Sequence, residues 1–338
     1  MRAPEFWRTG AGPWPRILAP LGGLYGLAGR LERALLRPRR AAIPVLCVGN
    51  LTAGGTGKTP VAIALGRAVV ASGRAVHFLS RGYGGRARGP LRVDPARHDA
   101  AEVGDEALLL AREGPTWIAR DRVAGAEAAR AAGAQALVLD DGFQDPALAK
   151  DLSLVVIDGG AGFGNGRLIP AGPLREPVAR GLARARAAVI VGEDATGAAG
   201  DVHTAAPGLP LLACRLAPAG GAAALAGRRV FAFAGIGRPA KFGETLAEIG
   251  AEIAGLRPFP DHHPYSADDV AEILAAAEAL DAAPVTTAKD YVRLPSEARG
   301  KVVVLEVEAR FADTSALARL IESVIPPSAG PAAPGRGA

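Results

Sequence analysis

Apolar residues recur along this chain in two alternating rhythms. Short unbroken runs of strand length stand at 43–48, 76–79, 117–119, 136–139, 154–157, 188–191, 230–234, 285–287 and 301–307. Between them lie segments that step by three or four, at 61–70, 107–111, 122–132, 241–249 and beyond Ser266, the spacing of one helical face. Strands alternating with helices predict parallel, doubly wound sheets. Residues 192–210 show neither rhythm and read as low-complexity surface. A length of 338 residues suits about two domains, and the second unit is expected to begin near residue 216.

Residues 1–40 carry a pattern of their own. Ile17, Leu18, Leu21, Leu24, Tyr25, Ala28, Leu31 and Leu35 line one helical face, flanked by Arg16, Arg30, Arg33, Arg37, Arg39 and Arg40. Trp7 and Trp14 stand upstream as interfacial anchors. The uncharged run 17–29 is too short to cross a bilayer, which takes about 20 apolar residues. A helix lying in a membrane interface is the functional reading, and a helix packed on the protein's own core is the plain one. On the first reading, deleting residues 1–40 reduces vesicle binding and leaves ligand affinity of the folded body little changed.

Charge sharpens this picture. The chain totals +5, yet its first forty residues hold eight arginines and two glutamates, so the remainder sums to about −1. A nucleic-acid binder would carry its basic stripe on the folded body; an excess confined to the extension suits an anionic membrane surface. Cys47 and Cys214 lack metal-type spacing and read as small buried hydrophobes. His262-His263 has no Cys cluster near it, which argues against structural zinc.

The candidate chemistry begins at Thr52-Ala53-Gly54-Gly55-Thr56-Gly57-Lys58-Thr59-Pro60, between the 43–48 run and the 61–70 helical segment. A strand, a glycine-rich turn and a helix in that order cradle polyphosphate on backbone N–H groups and a helix N-terminus. Lys58 would reach the terminal phosphates and Thr59 would ligate Mg²⁺; the departure is Thr52 at the leading glycine position. The fold class expected is therefore α/β: a P-loop NTPase-like parallel-sheet domain with a second, smaller α/β domain, preceded by an N-terminal amphipathic helix. Its divisions are expected at 1–40, 41–215 and 216–325, with a Pro/Gly/Ala-rich disordered tail at 326–338. Downstream, Ser80-Arg81-Gly82-Tyr83-Gly84-Gly85 could wrap an anionic or sugar ligand. Gly104-Asp105-Glu106 opens a helical run. Asp140 and Asp141 close an apolar strand, where a phosphate-loop fold completes its Mg²⁺ site. The irregular stretch 159–177 is long enough to suggest function.

Two protein classes use such a cradle. A switch or positioning ATPase carries a lysine just before the paired glycines, and Ala53 stands there instead; the other class is a small-molecule kinase. N-L-T-A-G-G-T-G-K-T-P at 50–60, S-R-G-Y-G-G, G-D-E, D-D-G-F-Q, G-N-G-R-L-I-P-A-G-P-L-R-E-P, F-P-D-H-H and T-A-K-D resemble, in order, the motifs of the tetraacyldisaccharide 4′-kinase (lipid A 4′-kinase) family. Ala288 departs from the T-E-K-D that the family often has. The resemblance covers residues 14 to about 306.

It implies an enzyme on the cytoplasmic face of the bacterial inner membrane. That enzyme would transfer the γ-phosphate of ATP to the 4′-hydroxyl of a tetraacyldisaccharide 1-phosphate, forming lipid IV-A. It also implies two α/β domains joined by a two-stranded linker with the active site between them, and no obligatory protein partner. The family's catalytic base falls on Asp105, paired with His262. Thr52 to Thr59 would bind ATP, while Thr59, Asp140, Asp141 and Glu106 are the candidates for Mg²⁺. Arg81, Tyr83, Arg120, Gln144, Asn165 and Arg175 are the candidates for substrate or phosphate contact.

Overall fold

The computed structural model describes residues 4–325; the expected tail at 326–338 lies outside them. Twelve strands run as β1 (Val45–Gly49), β2 (Val76–Ser80), β3 (Leu91–Arg92), β4 (Thr116–Ile118), β5 (Ala136–Asp140), β6 (Leu152–Asp158), β7 (Ala187–Val191), β8 (Leu211–Ala219), β9 (Arg229–Ala234), β10 (Glu252–Pro258), β11 (Ala283–Thr287) and β12 (Val303–Phe311). They join in the order β10-β9-β11-β12-β8-β7-β6-β1-β5-β2-β4-β3. Every pairing is parallel except β3 with β4 and β8 with β12. The central strands β1, β5, β6 and β7 are buried along their whole length, as strands covered on both faces must be.

β12 divides the sheet. Its first residues, Val303 to Leu305, pair in parallel with β11, and Glu306 to Phe311 then pair antiparallel with β8. The cores divide at the same place. One pair of clusters covers the two faces of the β1–β7 sheet, and another covers β9 and β11. The chain after β12 returns to the first core, where Leu317, Ile321 and Ile325 pack beside Val61, Leu65 and Val69 of the Lys58–Ala71 helix. The stretch 306–325 thus packs with the first sheet, although it follows the second in sequence.

The strands β3, β8 and β10 and the Ala198–Ala205 helix were not read in the sequence. β10 is an edge strand with a bulge between Ile253 and Gly255, so its alternation is broken. The 192–210 stretch contains a helix, Ala198–Ala205, that buries only Ala198 and Val202. Cys47 and Cys214 are buried free thiols, and burial pushes Cys47 up to about 12.

The extension forms helices at Phe6–Thr9, Trp14–Ile17 and Ala19–Leu35. Gly22 and Gly26 face the protein, and a Cβ at Gly26 would lie 2.7 Å from Leu168 Cδ1. The leucine face points the other way, with Leu24 63% and Leu31 54% exposed. Glycines that weaken a free helix here let it approach the body closely, and the apolar stripe is left without a protein partner. Trp14 is exposed on the same side, whereas Trp7 turns inward and donates its indole N–H to Pro170 O at 2.9 Å.

Candidate active site

The phosphate loop connects β1 to the Lys58–Ala71 helix. Gly57 caps that helix in the left-handed region at φ 82, which a side chain would resist. Lys58 is nearly buried, with Nζ 3.7 Å from Asp141 Oδ2. The Thr59 hydroxyl donates to Asp140 Oδ2 at 2.8 Å. Thr52, in place of a leading glycine, bridges to Leu174, and the Ala53 N–H donates to Pro173 O at 2.7 Å. That amide, expected at the polyphosphate, is therefore committed to the 159–177 stretch. Asn50, wholly buried, spans the inside of the loop from Nδ2 to Thr56 Oγ1 at 3.3 Å.

Asp140 ends β5 and is 1% exposed, and its Oδ1 has no partner in the protein. Burial pushes its carboxyl up to about 7, and the nearby charge of Glu106 adds to the rise. An orphaned buried oxygen beside a threonine hydroxyl fits a divalent cation. No group of three or more His, Cys, Asp or Glu suited to a metal occurs among the described residues. Mg²⁺ takes one or two carboxylates and fills its remaining positions with phosphates and water, which suits Asp140 beside Thr59. Asp141 adopts φ 54, which turns its carboxylate toward Arg175, whose two terminal nitrogens sit at 2.9 and 3.3 Å. Burial would raise Asp141, but Lys58 and Arg175 outweigh it and hold it below the usual carboxylate range. Gln144 ties this corner together, donating to Asn50 O at 2.7 Å and accepting from Arg175 at 3.2 Å.

A second cluster forms where the start of the Asp105–Ala111 helix meets residues that follow β10 and β11. Gly104 at φ 87 lies so close to Tyr83 O that a Cβ would sit 2.4 Å away, which packs the Arg81–Gly85 loop onto the start of the Asp105–Ala111 helix. Asp105 is 3% exposed. Its Oδ1 accepts from the Glu106 N–H at 2.8 Å; Oδ2 lies 3.0 Å from His262 Nδ1 and 3.2 Å from Arg293 Nε. Burial would raise this carboxyl, but the His262 hydrogen bond and the charges of Lys289 and Arg293 overcome it and bring it to about 2. An ionised Asp105 makes His262 Nδ1 the donor and leaves Nε2 to accept a proton. His262 sits at φ 58, fixed by its own N–H to Gly235 O at 3.1 Å, and its ring meets Tyr83 edge-on at 5.6 Å.

Lys289 reaches across to Glu106 at 2.9 Å, and that acidic neighbour with Asp105 raises its pKa despite burial. The next residue, Asp290, is fully buried and accepts from Gly235 N and the Tyr265 hydroxyl, both at 2.7 Å. The T-A-K-D segment thus combines one residue that crosses to the first sheet with one that braces its own loop; the Ala288 side chain takes part in neither. Arg293, on the following turn, was missed in the sequence, although its four-residue step from Lys289 places both on one face.

Among the sequence candidates, Thr59, Asp140, Asp141, Gln144 and Arg175 converge at the loop, and Asp105, Glu106 and His262 at the second cluster. Arg81 and Arg120 follow β2 and β4 and are exposed, as is Tyr83, at the strand ends where open α/β sheets place ligands. Asn165 stands apart. Its amide donates to Phe6 O at 2.9 Å and Ala171 O at 3.0 Å, and its oxygen accepts from the Arg167 N–H, so it builds the loop rather than facing a substrate.

Comparison with known proteins gives the family. The model of the family described as tetraacyldisaccharide-1-P 4′-kinase matches residues 14–326. A tetraacyldisaccharide 4′-kinase of Gluconacetobacter diazotrophicus is 56% identical over 95% of this chain and 98% of its own. One from Rhodospirillum centenum is 55% identical over 96% and 97%. The crystal structure of the "apo" form of LpxK from Aquifex aeolicus in complex with ATP superposes with a TM-score of 0.73 at 25% identity, covering 92% of this chain and 99% of that one. The chain belongs to the tetraacyldisaccharide 4′-kinase family.

Proposed function

We propose that this protein transfers the γ-phosphate of ATP to the 4′-hydroxyl of a tetraacyldisaccharide 1-phosphate, and that the two clusters above are the two halves of its active site. One observation carries the assignment of residues. Glu106 is held by Lys289, lies beside Asp105 in the chain and is near enough to Asp140 to raise its carboxyl, so base and phosphate cradle share one corner. The loop amides, Lys58 and Arg175 bind the polyphosphate; Thr59 and Asp140 hold Mg²⁺, which supplies charge neutralisation between the phosphates. The proton of the sugar hydroxyl passes to the Asp105–His262 pair, in which the ionised carboxylate orients the imidazole through Nδ1 and leaves Nε2 to accept it. Arg81 and Arg120 stand where they can pair with the substrate's 1-phosphate.

Two lobes, with β8 and β12 as the hinge, would close across Lys289–Glu106 and His262–Asp105. The exposed stripe of Trp14, Ile17, Leu24 and Leu31, with its flanking arginines, suits an interfacial helix on the cytoplasmic face of the inner membrane. No helix among the described residues is long and apolar enough to cross one. The test is Asp105→Asn with γ-labelled ATP and a tetraacyldisaccharide 1-phosphate: kcat falls by about 10²–10⁴ while nucleotide still binds. Turnover near that of the unsubstituted enzyme would overturn the role given to Asp105.

A further inference from the structure

The stretch 164–176 touches the N-terminal helices on one side and the phosphate loop on the other. On the helix side, Asn165 donates its side-chain amide to Phe6 O at 2.9 Å and its backbone N–H to Trp7 O at 2.8 Å. The Trp7 indole donates to Pro170 O at 2.9 Å. Leu168 fills the hollow left by Gly22 and Gly26. On the loop side, Pro173 O accepts from Ala53, Leu174 bridges Thr52, and the Arg175 N–H donates to Leu51 O at 2.7 Å. Between the two runs a further link: Arg33 of the Ala19–Leu35 helix lies 3.8 Å from Glu176, a carboxylate 1% exposed, which accepts from Gln144 at 3.2 Å, and Gln144 in turn holds Asn50 O. The middle of the phosphate loop is held more lightly, by Asn50 Nδ2 at 3.5 Å from Gly54 O, and a Cβ at Gly54 or Gly55 would meet no described atom within 4 Å beyond its chain neighbours.

We propose that the 164–176 stretch transmits the seating of the N-terminal helices to the phosphate loop, with Trp7 and Glu176 as positioning residues for ATP. The helix pair then does two things: it meets the membrane with its leucine face and, with its glycine face, sets the wall against which Thr52 and Ala53 are pinned. A helix drawn away from the body releases Leu168 and Pro170, and the loop loses its strand-like pairing with Leu174. ATP binding therefore depends on how the helix sits, which reverses the expectation that removing residues 1–40 leaves ATP affinity little changed. The trigger in the cell rests on the membrane reading above; the contact path does not.

Two variants of the full chain test this in neutral detergent micelles. Trp7→Phe keeps the ring and removes the indole N–H from Pro170 O, and Gly26→Val places side-chain atoms where Leu168 lies. ATP KM and kcat are measured with the acylated acceptor and with a deacylated disaccharide 1-phosphate, alongside flotation on phosphatidylglycerol/phosphatidylethanolamine vesicles and thermal melting. Loss of one hydrogen bond in the path raises ATP KM about five-fold with both acceptors and leaves kcat within about two-fold. A raised ATP KM with unchanged flotation supports the relay whatever the helix does at a membrane. An unchanged ATP KM in both variants overturns it, including the case in which flotation falls and the membrane reading survives. Trp7→Phe decides the matter if Gly26→Val melts early.

Discussion

Replacing Asp140 by asparagine should make the protein more stable above about pH 7 as it becomes inactive. In the absence of a cation this carboxylate is buried, with one oxygen accepting from Thr59 and the other unpartnered. Its folded pKa is raised from 3.8 to about 7. A raised acid is tolerated in its neutral form, so the cost of Asp140 is absent below pH 3.8, grows as pH rises from there to 7, and is constant above. The whole shift corresponds to about 4 kcal/mol at 1.36 kcal/mol per unit, and less than half of it has developed at pH 5. Asparagine removes this cost but leaves an unpaired N–H₂ in the same place, at about 1–3 kcal/mol independent of pH. The variant therefore gains about 2–3 kcal/mol over the unsubstituted protein between pH 5 and pH 8, whatever the fixed offset. Urea unfolding at both pH values, with chelator present, measures that difference. A stability gap that stays the same at pH 5 and pH 8 would refute the reasoning, because it would mean that Asp140 does not titrate between them. Adding Mg²⁺ and ATP should then stabilise the unsubstituted protein alone.

Other expectations follow from the same contacts. Lys289→Met leaves Glu106 without its partner and removes one of the charges that lower Asp105; kcat/KM for the acceptor should fall about ten-fold, and the Asp105 pKa should rise, with ATP binding unchanged. An effect confined to ATP binding would place Lys289 on the nucleotide instead. Leu24→Ser with Leu31→Ser alters side chains that are more than half exposed, so melting should move little, within about 0.5 kcal/mol. Binding to anionic vesicles should weaken about ten-fold or more, as burial of a leucine is worth about 1.5–3 kcal/mol; unaltered flotation would show that the stripe does not enter a lipid surface.

Local chemistry was legible in the residues themselves. The phosphate loop, the strand ending in Asp140 and the alternation of strand and helix are written in contiguous residues, because backbone geometry and strand or helix spacing are short-range properties. Weak elements were not. β10 has broken alternation at a sheet edge, and Ala198–Ala205 buries two side chains, so neither leaves a periodic trace. Asp105 in sequence is an acidic residue in a helix's first turn, a common feature with an ordinary electrostatic reason. On the proposed reading, what completes it as a base is His262, 157 positions away, with Arg293 and Lys289 still further along.

The N-terminal helix shows the same division from the other side. Its two stripes, leucine and glycine, are fixed by the order of residues, and the sequence determined that it would be amphipathic. Which stripe faces the protein was a tertiary decision. Leu168 fits the space that Gly22 and Gly26 leave, and the leucines remain outside. Likewise the sequence determined that Lys58 and Thr59 would follow a phosphate cradle, while only the fold decided that Ala53 is spent on Pro173 and Asn165 on Phe6. A hydrogen bond between distant segments depends on how those segments are brought together, and one chain position carries no record of its partner until the sheet has been assembled.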